Sequence, residues 1–399
     1  SNQIKPCLIV CPSSLIENWM QEYDLFFQEQ SYEKIILKGS VLPYLKELRT
    51  RESSGSPSLC ITTYETMRLN AVGFCTVDWG VVALDEAQKI KNPAALVTHS
   101  AKGLKAQFKI AMTGTPVENS LLDLWCLMDF CVPGILGSAK LFNKNVQNEE
   151  LNSDKIRDII QNKFLRRLKI DVAKDLPKKH EHVIREKFAG KQRQLYMNVI
   201  NNLIFLKEND LLKGAAMLSA IHEMKSIADH TELVRSDNDL DRSTIADAAK
   251  VQISLRLLQN IKAKNEKVII FTDRRKMQFI LKQIIKKEFS INADIVNGDV
   301  PSTSNYNDSK MTRQKLVDRF QSAEGFNVII MSPVAAGFGL NVVGANHVIH
   351  YSRHWNPAKE QQATDRVYRI GQTKDVHIYY PIATLSDDKL SFDEILNER

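Results

Sequence analysis

Apolar residues in the first third of the chain fall in short, nearly uninterrupted runs, each ending at polar or small residues. Leu8-Ile9-Val10 runs into Cys11-Pro12-Ser13-Ser14, and Leu59-Cys60-Ile61 into Thr62-Thr63-Tyr64. Val81-Val82-Ala83-Leu84 runs into Asp85-Glu86-Ala87-Gln88, and Phe108-Lys109-Ile110-Ala111-Met112 into Thr113-Gly114-Thr115-Pro116. Helical stretches such as Glu17–Phe27 and Leu42–Arg51 lie between them. Strands that are apolar throughout, alternating with helices, predict a parallel sheet covered on both faces. Ligands of such sheets bind beyond the carboxyl ends of the strands, so the polar run ends are where chemistry is expected.

Residues 138–260 are helix-rich, charged and nearly free of strand signals. Ser53–Ser58 and Ser236–Asp247 read as loops. From Lys267 the alternation resumes. Val268–Phe271 ends at Thr272-Asp273, Ala293–Val296 at Asn297-Gly298-Asp299, Asn327–Met331 at Ser332-Pro333, and His347–Tyr351 at Ser352. This predicts a second parallel α/β lobe. Residues 325–352 hold no Asp, Glu, Lys or Arg, but Pro333, Gly337, Gly339, Asn341, Gly344 and Asn346 divide them into strand, loop and strand instead of a membrane span. The first residues show no signal-peptide pattern, and a soluble intracellular protein is expected.

Composition adds little, with 43% hydrophobic and 25% charged residues. Charge adds more: the net +7 divides into −2 for residues 1–160 and +9 for residues 161–399. A basic second half suits a polyanionic partner, and equally a solvated basic surface. All six cysteines lie in the first 131 residues, with no Cys-x2-Cys pair and no zinc spacing, so buried free thiols are expected.

The acidic pair Asp85-Glu86 ends an apolar strand. A carboxylate there can hold Mg²⁺ against phosphates, and its neighbour can polarise an attacking water. An isolated Asp-Glu pair also suits a helix N-terminus; the strand before it and Thr113-Gly114-Thr115 after it favour catalysis. Arg366 and Arg369, three apart on an expected helix turn, would point the same way and offer two guanidinium forks to a triphosphate. Their plainer use is pairing with Asp365 or Glu360 on a surface helix.

In order along the chain, these segments resemble the SWI/SNF-type ATPases of helicase superfamily 2. Leu8–Trp19 is similar to motif Ia, Ile61–Met67 to Ib, Asp85–Asn92 to II, and Met112–Asn119 with Asp123-Leu124-Trp125 to III. Phe164–Lys169, Asp171-Val172 and Leu176-Pro177 resemble the joint between lobes. Lys267–Asp273 is similar to motif IV, Ser332–Asn341 to V and Gln362–Gln372 to VI. The resemblance implies two RecA-like parallel-sheet lobes with helical protrusions: lobe 1 over 1–170, a linker and protrusion over 171–260, and lobe 2 over 261–399. It implies a DNA-dependent ATPase that uses ATP and Mg²⁺, translocates on double-stranded DNA and remodels DNA-bound proteins, in a bacterial cytoplasm or nucleoid or in a nucleus. Asp85 would hold the metal, Glu86 would position water, and Arg366 and Arg369 would be arginine fingers on the nucleotide. Gln362 would contact the γ-phosphate or link motifs. Thr113 would sit beside the nucleotide and, with Asp273, couple the lobes. Gly337 and Gly339 would let backbone approach a phosphate or the other lobe. Ser13, Thr62, Thr63, Thr272 and Ser332 would touch the DNA backbone without reading sequence. Trp355 would contact DNA or pack in a core or lobe interface.

Departures from the family pattern are Gln88, where many relatives carry histidine; Pro333-Val334, where an apolar and then a basic residue are usual; and Ser352 and His354 beside Trp355. The sequence also contains no Gly-x4-Gly-Lys-[Ser/Thr] loop. That loop is expected upstream of motif Ia, which makes lobe 1 N-terminally truncated and this chain alone weak in ATP binding and hydrolysis. Two other readings stay open. One is a strand-separating or RNA-directed helicase, against which Arg166-Arg167, Leu176-Pro177 and Trp125 argue. The other is a non-enzymatic DNA-binding or scaffold fragment.

Overall fold

The computed structural model describes residues 5–27, 33–50, 58–118, 120–167, 169–172, 175–188, 190–211, 213–234, 248–301, 311–336, 340–385 and 390–398. The chain forms two compact units, Ser1–Val172 and Ala173–Arg399.

In the first unit, β1 (Cys7–Cys11), β2 (Glu33–Leu37), β3 (Ser58–Thr63), β4 (Asp78–Asp85) and β5 (Lys105–Met112) make a sheet in the order β2-β3-β1-β4-β5. Every pairing is parallel. Alternate residues of β1 serve opposite faces. Leu8 and Val10 pack with Met67, Phe74 and Trp79, while Ile9 and Cys11 pack with Ile16 and Trp19. Both faces are dry, which is why the strand reads as a continuous apolar run. A one-residue slip would exchange the faces, so the register is fixed by this packing.

In the second unit, β6 (Lys179–Lys187), β7 (Lys267–Phe271), β8 (Asp294–Val296), β9 (Asn327–Met331), β10 (His347–His350) and β11 (Val376–Thr384) form an all-parallel sheet in the order β6-β11-β10-β7-β9-β8. Val268, Ile270, Val328 and Ile330 fill one core; Ile269, Phe271, Ile329 and Met331 fill the other. The fold class expected from sequence is thus the one observed. β6 is a strand inside the region read as helix-rich and nearly free of strand signals, and it joins this sheet at its edge through β11.

Helical additions have small cores of their own. Helices Leu121–Cys131, Ala139–Gln147 and Ser153–Ile160 enclose Trp125, Phe142, Ile156 and Ile160. Helices Gly190–Glu208, Gly214–Asp229 and Phe392–Asn397 enclose Tyr196, Ile227, Leu385 and Phe392. All six cysteines are free. Among the described residues no helix is long and apolar enough to cross a membrane, and no group of His, Cys, Asp or Glu is arranged to hold a metal by itself.

Candidate nucleotide and DNA site

Asp85 is the last residue of β4 and lies level with Met112 of β5. Its Oδ1 accepts the Glu86 backbone N–H at 2.9 Å, and its Oδ2 accepts Trp19 Nε1–H at 3.0 Å. The Tyr64 hydroxyl donates to its carbonyl at 2.8 Å. Three elements therefore converge on one residue: the helix after β1, the helix after β3, and β4 itself. Two further groups register this crowding. Burial first, and then the Asp85 charge, pushes the Cys11 thiol up to about 12 and raises the Tyr64 hydroxyl well above its usual range.

Glu86 breaks the strand. Its φ of 53° and ψ of 49° put it in the left-handed region, uncommon outside glycine, and turn its carboxylate off the sheet. Gln88 Nε2 donates to Glu86 Oε2 at 2.5 Å, and Gln88 Oε1 accepts from Thr113 Oγ1 at 2.7 Å. Thr113 Oγ1 in turn accepts the Thr115 N–H at 3.0 Å. Gln88 thus links the end of β4 to the end of β5. The chain continues outward through Thr115 Oγ1 to Glu118 Oε1 at 3.3 Å; Glu118 also pairs with Lys91, and its N–H donates to Asp123 Oδ2 at 3.0 Å.

The expected backbone-contact residues separate into two sets. Ser13 is exposed; Thr63 is half-buried and caps helix Tyr64–Leu69 by accepting the Thr66 N–H at 3.1 Å. Ser332 is half-buried after β9. Thr62 and Thr272, by contrast, are fully buried. The Thr62 hydroxyl donates to Leu37 O at 2.9 Å, and that of Thr272 shares a hydrogen bond with Ser352 Oγ at 2.8 Å. These two differ from the sequence reading: both hydroxyls are turned to the interior and spent on hydrogen bonds within the protein. Trp355 is 41% exposed and stands at 78° to the Phe392 ring with centroids 5.2 Å apart, so it is packed in part and open in part.

In the second unit, helix Pro357–Thr364 starts at Asn356, whose Oδ1 accepts the Ala358 N–H at 2.9 Å. It carries Gln362 and stops at Thr364. Arg366 and Arg369 therefore lie in the turns that follow, not on a helix as the sequence predicted. Thr364 O accepts the N–H groups of both Val367 and Tyr368, at 2.9 and 3.0 Å. The Arg366 carbonyl accepts Val342 N–H at 3.0 Å, and Arg369 Nη1 bonds Asn341 Oδ1, so this segment is sewn to the stretch that precedes β10. Gln372 closes it: Nε2 bonds Ala345 O at 2.8 Å and Val343 O at 3.1 Å, and Oε1 accepts Thr373 and Lys374 N–H, both at 3.0 Å. Gly337 and Gly339 lie outside the described residues.

Behind this surface is a buried ionic group. Lys250, with no exposure, bonds Asp229 Oδ1 at 2.9 Å and Asp393 Oδ2 at 2.7 Å. Ser352 Oγ donates to Asp229 Oδ2 at 2.9 Å, so the unusual serine at this position takes part in the group and ties it to Thr272 at the end of β7. Burial alone would lower the Lys250 ammonium, but the two carboxylates outweigh it and raise it. Asp273, next to Thr272, lies 3.6 Å from Lys225. Sequence reading missed Trp19, Tyr64 and Lys250 as site partners, because their contacts join residues far apart in the chain.

Two parallel α/β units, one with an acidic pair at a strand end and one with two arginines beside a strand-end loop, define the helicase-like class of two-lobed proteins. A model of the SNF2-related domain matches residues 1–239, and one of the helicase conserved C-terminal domain matches residues 249–371. The chain belongs to the SNF2 family. It is 40% identical to the Zorya protein ZorD of Escherichia coli O139:H28, over 99% of this chain and 39% of that protein. It is 28% identical to the DNA repair and recombination protein RAD26 of Saccharomyces cerevisiae, over 94% of this chain and 40% of that protein. The chain thus spans about two fifths of these relatives. Among solved structures it is similar to the Sulfolobus solfataricus SWI2/SNF2 ATPase core in complex with dsDNA, at 29% identity, covering 96% of this chain and 78% of that one with a TM-score of 0.44.

Proposed function

We propose that this chain is the core of a DNA-dependent ATPase that translocates on double-stranded DNA and thereby remodels protein–DNA complexes. The observation that carries the reading is the Asp85-Glu86 pair at the end of β4, with one carboxylate held by Trp19 and the other joined through Gln88 to Thr113. The Asp85 donor set fits Mg²⁺: each carboxylate oxygen accepts one N–H and keeps a further lone pair for the metal or its water. Magnesium, when bound with ATP, neutralises phosphate charge. Asp85 would hold that metal, directly or through water, and Glu86 would accept the proton of the attacking water. Gln88, donating to Glu86, fixes the direction of that carboxylate. Arg366 and Arg369 would supply positive charge to the phosphates as negative charge grows in the transition state, and Gln362, on the helix before them, would contact the γ-phosphate. Ser13, Thr63, Ser332 and the exposed part of Trp355 supply contacts to the DNA backbone, which give affinity without sequence preference.

The test is ATP hydrolysis by the full-length protein with and without double-stranded DNA. Stimulation by duplex, abolished in Glu86→Gln while DNA binding persists, is the expected result. Equal stimulation by RNA, or separation of duplex strands, would instead make it a conventional helicase. DNA binding with no hydrolysis at all would make it a scaffold.

A further inference from the structure

His350 ends β10 and is fully buried. Its ring lies between Phe271 of β7 and Tyr380 of β11, both with centroids at 5.3 Å and with interplanar angles of 24° and 10°. Nε2 shares a hydrogen bond of 2.8 Å with Thr364 Oγ1. Among the described residues, Nδ1 has no hydrogen-bond partner. For stability this is a poor arrangement. A phenyl ring would fill the same aromatic slot without leaving a buried polar nitrogen unsatisfied. A residue that breaks a packing rule in this way is expected where function requires it.

Thr364 shows what the requirement is. It is 1% exposed, it is the last residue of its helix, and its carbonyl receives the two N–H groups that start the turn carrying Arg366. Nothing in the helix itself marks this stop: no glycine or proline occurs between Pro357 and Gly371. The side-chain bond to His350 fixes where Thr364 sits relative to the sheet, and hence where the arginine turn begins.

We infer that His350 is a positioning residue that, through Thr364, sets the place of the Arg366–Arg369 turn for phosphate chemistry. This rests on the reading of Arg366 as a phosphate-facing group. The bond ties the turn to the rigid end of the sheet, so its loss lets the guanidinium wander by a fraction of an ångström. Displacements of that size cost rate more than binding.

The test is a double-mutant cycle in the full-length protein with His350→Phe and Thr364→Val, each nearly isosteric. Both are expected to lower DNA-stimulated kcat by about 10- to 100-fold with KM for ATP within about twofold. The double variant should be no worse than the poorer single one, and Thr364→Ser should restore the rate by restoring the hydroxyl. His350→Phe should melt within about 3 °C of wild type, because the unsatisfied nitrogen it removes is offset by the Thr364 hydroxyl it leaves unpaired. Wild-type kcat in His350→Phe and Thr364→Val, alongside an inactive Arg366→Ala, would overturn the inference. So would losses that multiply in the double variant, or a lowered melting temperature that accounts for them. An Arg366→Ala protein with normal hydrolysis would remove the underlying reading, and this one with it.

Discussion

The Trp19 indole N–H donates to Asp85 Oδ2 across 66 positions of sequence, and so fixes the rotation of a carboxylate that β4 alone only places. Hydrogen bonds to charged groups contribute about 1.5–3 kcal/mol. Trp19→Phe keeps the packing against Ile9 and Ile16 and removes only the donor. We expect a fall of about tenfold in ATP turnover and a higher Mg²⁺ requirement, with a loss of stability of no more than about 3 kcal/mol. Magnesium titrations of the hydrolysis rate check this; an unchanged magnesium dependence would show that Asp85 is oriented without Trp19.

Gln88 is predicted to be sensitive to charge more than to size. Gln88→Ala deletes both bonds of the bridge and should slow hydrolysis about tenfold. Gln88→Glu should be worse. It sets a second carboxylate beside Glu86, where the amide now approaches to 2.5 Å, and one of the two must take up a proton. Steady-state rates of the two variants, compared at one pH, decide the order.

Lys250 should be indispensable to the second unit. Lys250→Met leaves Asp229 and Asp393 buried with no counter-charge, a loss of about 3–5 kcal/mol. Adding Asp229→Asn and Asp393→Asn should recover part of it. Urea unfolding of the three proteins measures both effects; a K250M protein as stable as wild type would mean that water reaches the two carboxylates.

The second unit should lose stability in acid in two stages. Burial holds His350 at about 4 when folded, against 6.5 when exposed, so between those values the unfolded chain binds more protons. Stability is complete above about pH 6.5 and falls by roughly 3 kcal/mol on the way to pH 4. Burial lowers His347 and His377 in the same direction. Glu266 acts in a lower window. Burial opposes its charge, but hydrogen bonds from His347, Asn346 and Lys374 hold it at about 2, and its contribution is lost as pH falls from about 4.5. Melting temperatures from pH 8 to 3 should show the first stage shrink in His350→Phe.

Strands buried on both faces were legible, because the inner residues of β1, β4, β7 and β9 had to be apolar. Two with an open side were not. β2 has mostly exposed side chains, and β6 is Lys-His-Glu-His-Val-Ile-Arg-Glu-Lys, an edge strand whose residues face water on one side. It is a strand because β11 offers it a ladder, a fact absent from its own composition. The Asp85-Glu86 pair was legible because strand and acid are adjacent in sequence. The arginine turn was not, since its position depends on Gln372 and Thr364 bonding carbonyls and a histidine elsewhere in the fold.

β6 has a mechanical consequence. The chain leaves the first unit at Val172 and enters the second unit's sheet at Lys179, and β6 lies against β11 from Lys179↔Val376 to Lys187↔Thr384. A lengthwise pull on β6 would load this ladder in shear. The evenly spaced bonds of a parallel ladder then bear load together instead of opening one after another like a zipper. The edge of the second unit's sheet is thereby held by nine residue pairs acting at once.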